Sequence, residues 1–388
     1  MLVEILRKIY IIFSYWLQGV EYAGGMKTLF DVEPDELKRA KSELLKENQD
    51  RHITNDTNKS YFKLAFKKDQ AFLIATHYPI PSSLTKLMKN TPTRHLPSKK
   101  LPYKSKTFRK TFGINCPYGY NFTKHVITFE SDPNLHKIKR DFLMKSGLLG
   151  DLYNFNVNIS YEIFGIWENY MGMDQKVRSK TNLEQAIRQT VNILWFNDKN
   201  AIQMDNNCPM LDSEHSSSTT KNFYQTAIKI LKNPKIDTPF INIIRNSVEF
   251  KTDLAKVSVM FELLRAISNL TDVAEHLAIF RLKNFVRSDS NDDSKPESKV
   301  SKILKTNPPE RFLSRAIETK TILQLNENGR KLTIYPNTTI LVSVEHENRL
   351  SEKSGDVTFG LGVKNCPAEM VVRRFLKLLV EFLEREFL

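Results

Sequence analysis

The chain has 388 residues and only 3 cysteines, Cys116, Cys208 and Cys366. So odd and sparse a set gives no disulfide framework and fits a reducing, cytoplasmic setting. No uninterrupted apolar run reaches the about 20 residues that a bilayer-spanning helix needs. No long run of basic residues occurs either. A nucleic-acid role would therefore rest on net charge alone, and none is expected. There is no His-Glu-x-x-His, no Gly-x-Ser-x-Gly and no phosphate loop, so no hydrolytic constellation presents itself. Internal repeats are absent, which excludes a solenoid.

What is present is globular in composition: 40% hydrophobic, 10% aromatic and 26% charged. The length suits one large domain or two ordinary ones. The net charge of +14 is compatible with an anionic partner, but charges spread over solvated faces account for it.

Residues 1–26 are expected to form an amphipathic helix. Leu2, Ile5, Leu6, Ile9, Ile12, Phe13, Trp16, Leu17 and Val20 repeat at helical spacing. Arg7 and Lys8 lie near its start, and Tyr10, Tyr15 and Trp16 suit an interface. Two outcomes stay open: residues 1–20 rest peripherally on a membrane, or the helix docks on the protein's own core. A signal peptide is a lesser option, which Glu21 disfavours.

Further on, residues 27–60 read as a polar helix and a loop, and 61–76 as strands. Residues 79–120, rich in Pro, Lys, Thr and Gly, read as a long irregular connection. Asp132 and Pro133 open a helical region, as N-cap and first-turn residues. It continues to about residue 200. After a Ser/Thr-rich interruption at Ser213–Thr220, short helices are expected over 222–232 and 238–248. The spacing over 253–287 predicts one central helix, followed by a loop at Ser288–Ser298. Residues 330–345 read as paired strands around Tyr335-Pro336-Asn337. A last helix starts near Pro367. The fold class is thus mainly α with a small β-sheet, and residues 27–388 are expected to form a single domain.

One cysteine stands apart. Cys366 lies in Phe359-Gly360-Leu361-Gly362-Val363-Lys364-Asn365-Cys366-Pro367-Ala368, on a glycine-framed loop that leads directly into an apolar helix. Loop amides and the positive end of a helix favour thiolate over thiol. A thiolate so placed is a candidate axial ligand for haem iron.

The loop resembles the haem-binding loop of the cytochrome P-450 superfamily, Phe-x-x-Gly-x-x-x-Cys-x-Gly. Phe359, Gly362 and Cys366 occupy its fixed positions, and Ala368 replaces the last glycine. Gly360 and Gly362 would let the backbone pass close under a porphyrin. Further patches agree in order and spacing. His136 and Arg140 resemble the His-x-x-x-Arg of the family's C helix, on one helix face. Pro308-Pro309 is followed by Arg315, then by strands, then by Glu345-His346-Glu347-Asn348-Arg349. Lys364 stands two residues before the cysteine. The resemblance covers about residues 125–388. It implies haem b ligated by Cys366, with His136, Arg140, Arg315 and Lys364 on the propionates.

The chain also departs from that family. Lys302 and Lys305 stand where the K helix has Glu-x-x-Arg, and the following meander is mostly missing, because only 12 residues separate His346 from Phe359. A buried ion network is therefore lost as a whole. In the central helix, Ile267 and Asn269 replace the family's glycine and acid. Thr271 reads either as a shifted proton-relay hydroxyl or as an exposed helix residue, and we take it as the latter. The sequence ends 22 residues after Cys366, which leaves no room for the family's closing hairpin. The resemblance implies a monooxygenase acting with O2 on a small apolar substrate, with electrons from an acidic reductase or ferredoxin. A peroxygenase or hydroperoxide-rearranging enzyme, and a degenerate non-catalytic haem protein, are the alternatives.

Overall fold

In a computed structural model of the chain, the described residues are 2–24, 36–47, 60–67, 70–91, 132–145, 157–171, 180–201, 217–260, 270–271, 273–277, 296–325, 329–350 and 357–385. In chain order the elements are α1 (Leu2–Trp16), β1 (Glu21–Tyr22), α2 (Glu36–Glu47), β2 (Phe62–Lys67), β3 (Gln70–Ala75) and α3 (Ser82–Asn90). Next come α4 (Pro133–Lys145), α5 (Val157–Met171), α6 (Lys180–Phe196), α7 (Ser217–Lys232), α8 (Pro239–Arg245) and α9 (Pro296–Thr306). The chain finishes with β4 (Phe312–Ile317), β5 (Thr321–Gln324), β6 (Lys331–Ile334), β7 (Thr338–Ser343), α10 (Val344–Leu350), a 3-10 turn (Gly362–Lys364) and α11 (Glu369–Arg385). Helix also covers 253–260, 270–271 and 273–277, within the expected central helix. The fold is mainly helical with small sheets, as expected.

Two compact units emerge: Met1–Lys100 with Glu310–Asn365, and Leu101–Pro309 with Cys366–Leu388. The first is built on a five-stranded sheet of order β1-β2-β3-β7-β4. β7 lies parallel to β3, with Leu73 opposite Ile340, and antiparallel to β4, with Arg315 opposite Ile340. The strands are apolar on both faces, the pattern of a sheet covered on each side. One face packs Leu64, Leu73, Leu313 and Ile340 against Tyr15 of α1 and Leu84 and Met88 of α3. The other packs Ala65, Phe72 and Ile74 against Leu37, Ala40 and Leu44 of α2. The Tyr15 hydroxyl bonds Thr338 Oγ1 at 3.0 Å and accepts the Tyr335 N–H at 3.1 Å. The inner face of α1 thus docks on the sheet.

The second unit is helical and held by aromatic packing. The Trp167 ring on α5 meets Phe375 and Phe382 of α11 at 5.5 Å each, and Phe164 stacks on Phe382 at 6.0 Å. Trp167 Nε1 donates to Thr190 Oγ1 at 3.0 Å, so its buried N–H has a partner. α4 starts where its cap predicts: Asp132 Oδ1 accepts the Asn134 and Leu135 N–H groups at 2.9 and 3.3 Å. α9 packs on α11, with Lys377 Nζ donating to the Glu297 carboxylate.

Three readings of the sequence need correction. The stretch 79–120 is not wholly irregular, because α3 forms within it. Its apolar positions, Leu84 and Met88, lie one turn apart and are buried, a signal the surrounding prolines and lysines obscured. α7 begins at Ser217, inside the Ser/Thr-rich stretch expected to interrupt the helices. Residues 331–343 are not a hairpin. β6 pairs with β5 in a separate two-stranded sheet, while β7 enters the main sheet. The turn between them places Asn337 at a φ of 64°, and a turn alone does not decide which partner each strand takes.

Candidate functional site

Cys366 is half-buried and forms no disulfide. It sits three residues before α11, whose first turn carries the positive end of the helix dipole. α11 is itself anchored through Phe375 and Phe382 in the aromatic core of its unit. Cys116 and Cys208 lie outside the described residues.

On α4, His136 is buried and Arg140 is half-buried, one turn apart. Burial lowers the pKa of the Arg140 guanidinium, and the negative charge of Cys366 opposes that shift. The two groups are therefore electrostatic neighbours, and a cation beside the thiol favours its ionised form. Both residues lie in the second unit.

In the first unit the residues preceding Cys366 form a tightly turned loop. Gly360 and Gly362 have φ values of 90° and 60°. The Asn365 N–H donates to the Gly362 carbonyl at 3.1 Å, and the Gly360 N–H to the Val357 carbonyl at 2.9 Å. At Gly362 a Cβ would collide with the backbone of Lys89 on α3. Only glycine lets the 3-10 turn press against that helix end. Phe359 is half-buried in this loop, and Lys364 is buried.

Arg315 is fully buried, on the sheet face that meets α3. Its guanidinium donates to three carbonyls: Nε to Met88 at 2.9 Å, Nη1 to Ser314 at 2.8 Å and Nη2 to Leu361 at 3.2 Å. It therefore ties α3, β4 and the cysteine loop together.

A second brace was not foreseen. Asn348 of α10 is buried. Its Oδ1 accepts the Val357 N–H at 2.8 Å, and its Nδ2 donates to Thr358 Oγ1 at 2.9 Å. It fixes the start of the cysteine loop. The signal was the stretch His346-Glu347-Asn348-Arg349, which the sequence reading used as a match in order but not as a site. Beside Asn348, Glu347 Oε2 accepts the Ile80 N–H at 2.9 Å. Glu347 lines a cleft of about 500 Å³ with Ser82, Thr85, Lys86 and Lys89.

His346 shares the α10 turn. Its Nδ1 is 2.6 Å from Ser343 Oγ, and its ring stacks on Tyr78 at 5.2 Å. Burial first, and then the charge of Arg349, push its pKa down to about 4.

Of the distal pair, Asn269 lies outside the described residues. Thr271 is buried, with 1% of its surface exposed. This overturns its reading as an exposed helix residue: it sits on the apolar stripe with Val273, Ala274 and Leu277, which are also buried. Lys302 on α9 is exposed and Lys305 half-exposed.

No protein-family model matches the chain, and no curated protein matches it. Solved structures do. The haem domain of a P450 from Tepidiphilus thermophilus is 16% identical, with 81% of each chain covered and a TM-score of 0.57. Cytochrome P450 CREJ is 14% identical, covering 81% of this chain and 84% of its own, with a TM-score of 0.58. P450BioI, in complex with an acyl carrier protein ligated to hexadec-9Z-enoic acid, is 11% identical, covering 84% and 88%, with a TM-score of 0.56. Identities this low speak for architecture and not for chemistry, and the architecture they show is the cytochrome P450 fold.

Proposed function

We propose that the chain is a haem-thiolate oxidoreductase, with Cys366 as ligand to the iron of haem b. In this reading residues 27–388 act as one haem-binding domain. The observation that carries it is the half-buried Cys366 thiol at the head of α11, within electrostatic reach of Arg140. The residues fit such a group. Among the described residues no cluster of three His, Cys, Asp or Glu side chains can hold a bare metal ion. An iron on Cys366 would need further ligands, which a porphyrin would provide. In this proposal the basic side chains of His136, Arg140, Arg315 and Lys364, all buried or half-buried, would hold the two propionates, which are costly to bury without positive partners. Phe359, Gly360 and Gly362 would shape the loop leading to the ligand.

The reaction proposed is that of a monooxygenase, placing one oxygen atom from O2 into a small apolar organic substrate. Haem, when bound, would supply the oxygen-activating chemistry. The chain would hold the thiolate through the helix end and Arg140. Thr271 offers a buried hydroxyl for proton delivery, with Asn269 close to it in sequence. The net charge of +14 suits an acidic electron donor. A peroxygenase is the second reading, favoured by Ile267 and Asn269 at the positions where the related pattern has glycine and acid, since peroxide needs no delivered electrons or relay. Turnover with peroxide but not with a reductase and O2 would select it. Absence of turnover with either oxidant would select a non-catalytic haem protein.

The primary test is the reduced carbon monoxide difference spectrum of the haem-loaded protein. Wild type is expected to give a strongly red-shifted Soret band, and Cys366→Ser to lose it. Haem binding indifferent to Cys366 would remove the proposal.

A further inference from the structure

The helix α1 has two apolar faces, and the protein uses only one of them. Its inner face buries Tyr15 completely and packs Ile11 and Ile12 on the core. Lys8 lies over the Phe66 ring at 5.7 Å. Its outer face carries Val3, Leu6, Tyr10, Phe13 and Leu17, exposed by 81, 56, 67, 55 and 64%. These positions recur every three or four residues and so form a single stripe. Trp16 and Ile9, exposed by 62 and 40%, widen it, and the Phe13 and Trp16 rings stack at 6.0 Å. A continuous exposed apolar patch of this kind marks an interaction surface.

The surroundings indicate what covers it. Arg7 is exposed, one turn from both Val3 and Tyr10. At the other end, Gln18 Oε1 accepts the Thr333 N–H of β6 at 2.6 Å. That contact places the β5–β6 ribbon beside the end of the helix. The ribbon carries the exposed Arg330 and Lys331. It also carries Ile322, which is opposite Thr333 and 65% exposed. An apolar stripe with aromatic residues and basic side chains near both ends matches the boundary between acyl chains and anionic headgroups. The 15 residues of α1 span only about 22 Å, short of a bilayer's apolar core. No helix among the described residues is long and apolar enough to cross a membrane. The net charge of +14 on each copy opposes self-association and favours an anionic surface.

We propose that the outer face of α1 seats this protein on the surface of an anionic phospholipid bilayer, lying in the interface with its inner face still docked on the sheet. The inference does not depend on haem.

Sedimentation of the full chain with vesicles tests it, using phosphatidylcholine alone and phosphatidylcholine mixed with phosphatidylglycerol. Wild type is expected to bind the mixed vesicles, and to bind neutral vesicles or mixed vesicles in high salt more weakly. Leu6→Ser/Phe13→Ser is expected to lower binding at least about tenfold without moving the thermal melt, since neither side chain is in the core. Val3→Ser/Tyr10→Ser serves as an independent pair should the first fail to fold. Trp16 fluorescence should shift to the blue on vesicle addition, a change absent in Trp16→Phe. Vesicle binding that is absent, or unchanged in both folded pairs, overturns the proposal. So does a wild-type dimer that these substitutions dissolve, because the stripe would then be a seam between copies.

Discussion

Asn348 does with one amide what a network of charges would otherwise do. Its two polar atoms reach residues nine and ten positions ahead and fix the loop before Cys366 without burying an ion. Asn348→Ala would leave the Val357 N–H without its acceptor. The expected loss is about 2 kcal/mol of stability, measured by urea unfolding. Arg315 makes the same point with a charged group. Its guanidinium donates to three backbone carbonyls. Lysine could not replace it, since one ammonium cannot match a planar fork aimed at three separate chain segments. With Lys302 and Lys305 in place of the expected acid and arginine, these neutral and carbonyl-directed contacts are the braces the structure shows on the cysteine loop.

Where elements meet, the glycines separate into two kinds. Gly362 and Gly329 both have positive φ, 60° and 81°. Gly329 faces open space, whereas a side chain at Gly362 would strike the end of α3. Gly329→Ala should therefore cost only backbone strain, about 1 kcal/mol. Gly362→Ala should cost clearly more, and thermal melts of the two variants side by side would check the order. The contrast also shows what a sequence can reveal. The glycine loop and the helix after Cys366 were legible because both follow from local pattern, as was the Asp132 cap. The partner of Gly362 was not, because α3 lies over 270 positions earlier in the chain. Strand pairing failed for the same reason: Tyr335-Pro336-Asn337 announces a turn but not that β6 and β7 diverge into different sheets. The two-sided role of α1 was legible as an amphipathic pattern. Which apolar residues turn inward depended on Thr338 and Tyr335, its distant partners.

For the molecule as a whole, His346 predicts how stability responds to acid. Its pKa in the fold is about 4, against an ordinary 6.5, so the unfolded chain takes up a proton first as pH falls. Stability from this group is complete above about pH 6.5, declines on the way to about pH 4, and changes little below. The loss amounts to roughly 3 kcal/mol. Urea unfolding midpoints at neutral and mildly acidic pH should show the decline, and His346→Gln should flatten it. The main sheet has a consequence of another kind, in the order of events during synthesis. β3 emerges early, yet its neighbour β7 is more than 260 residues further along. Until β7 is made, the apolar edge of β3 has no native strand to pair with, and such edges recruit other chains. For most of its time on the ribosome the nascent protein therefore carries an open strand edge, and its yield should depend on how well that edge is sheltered while it waits.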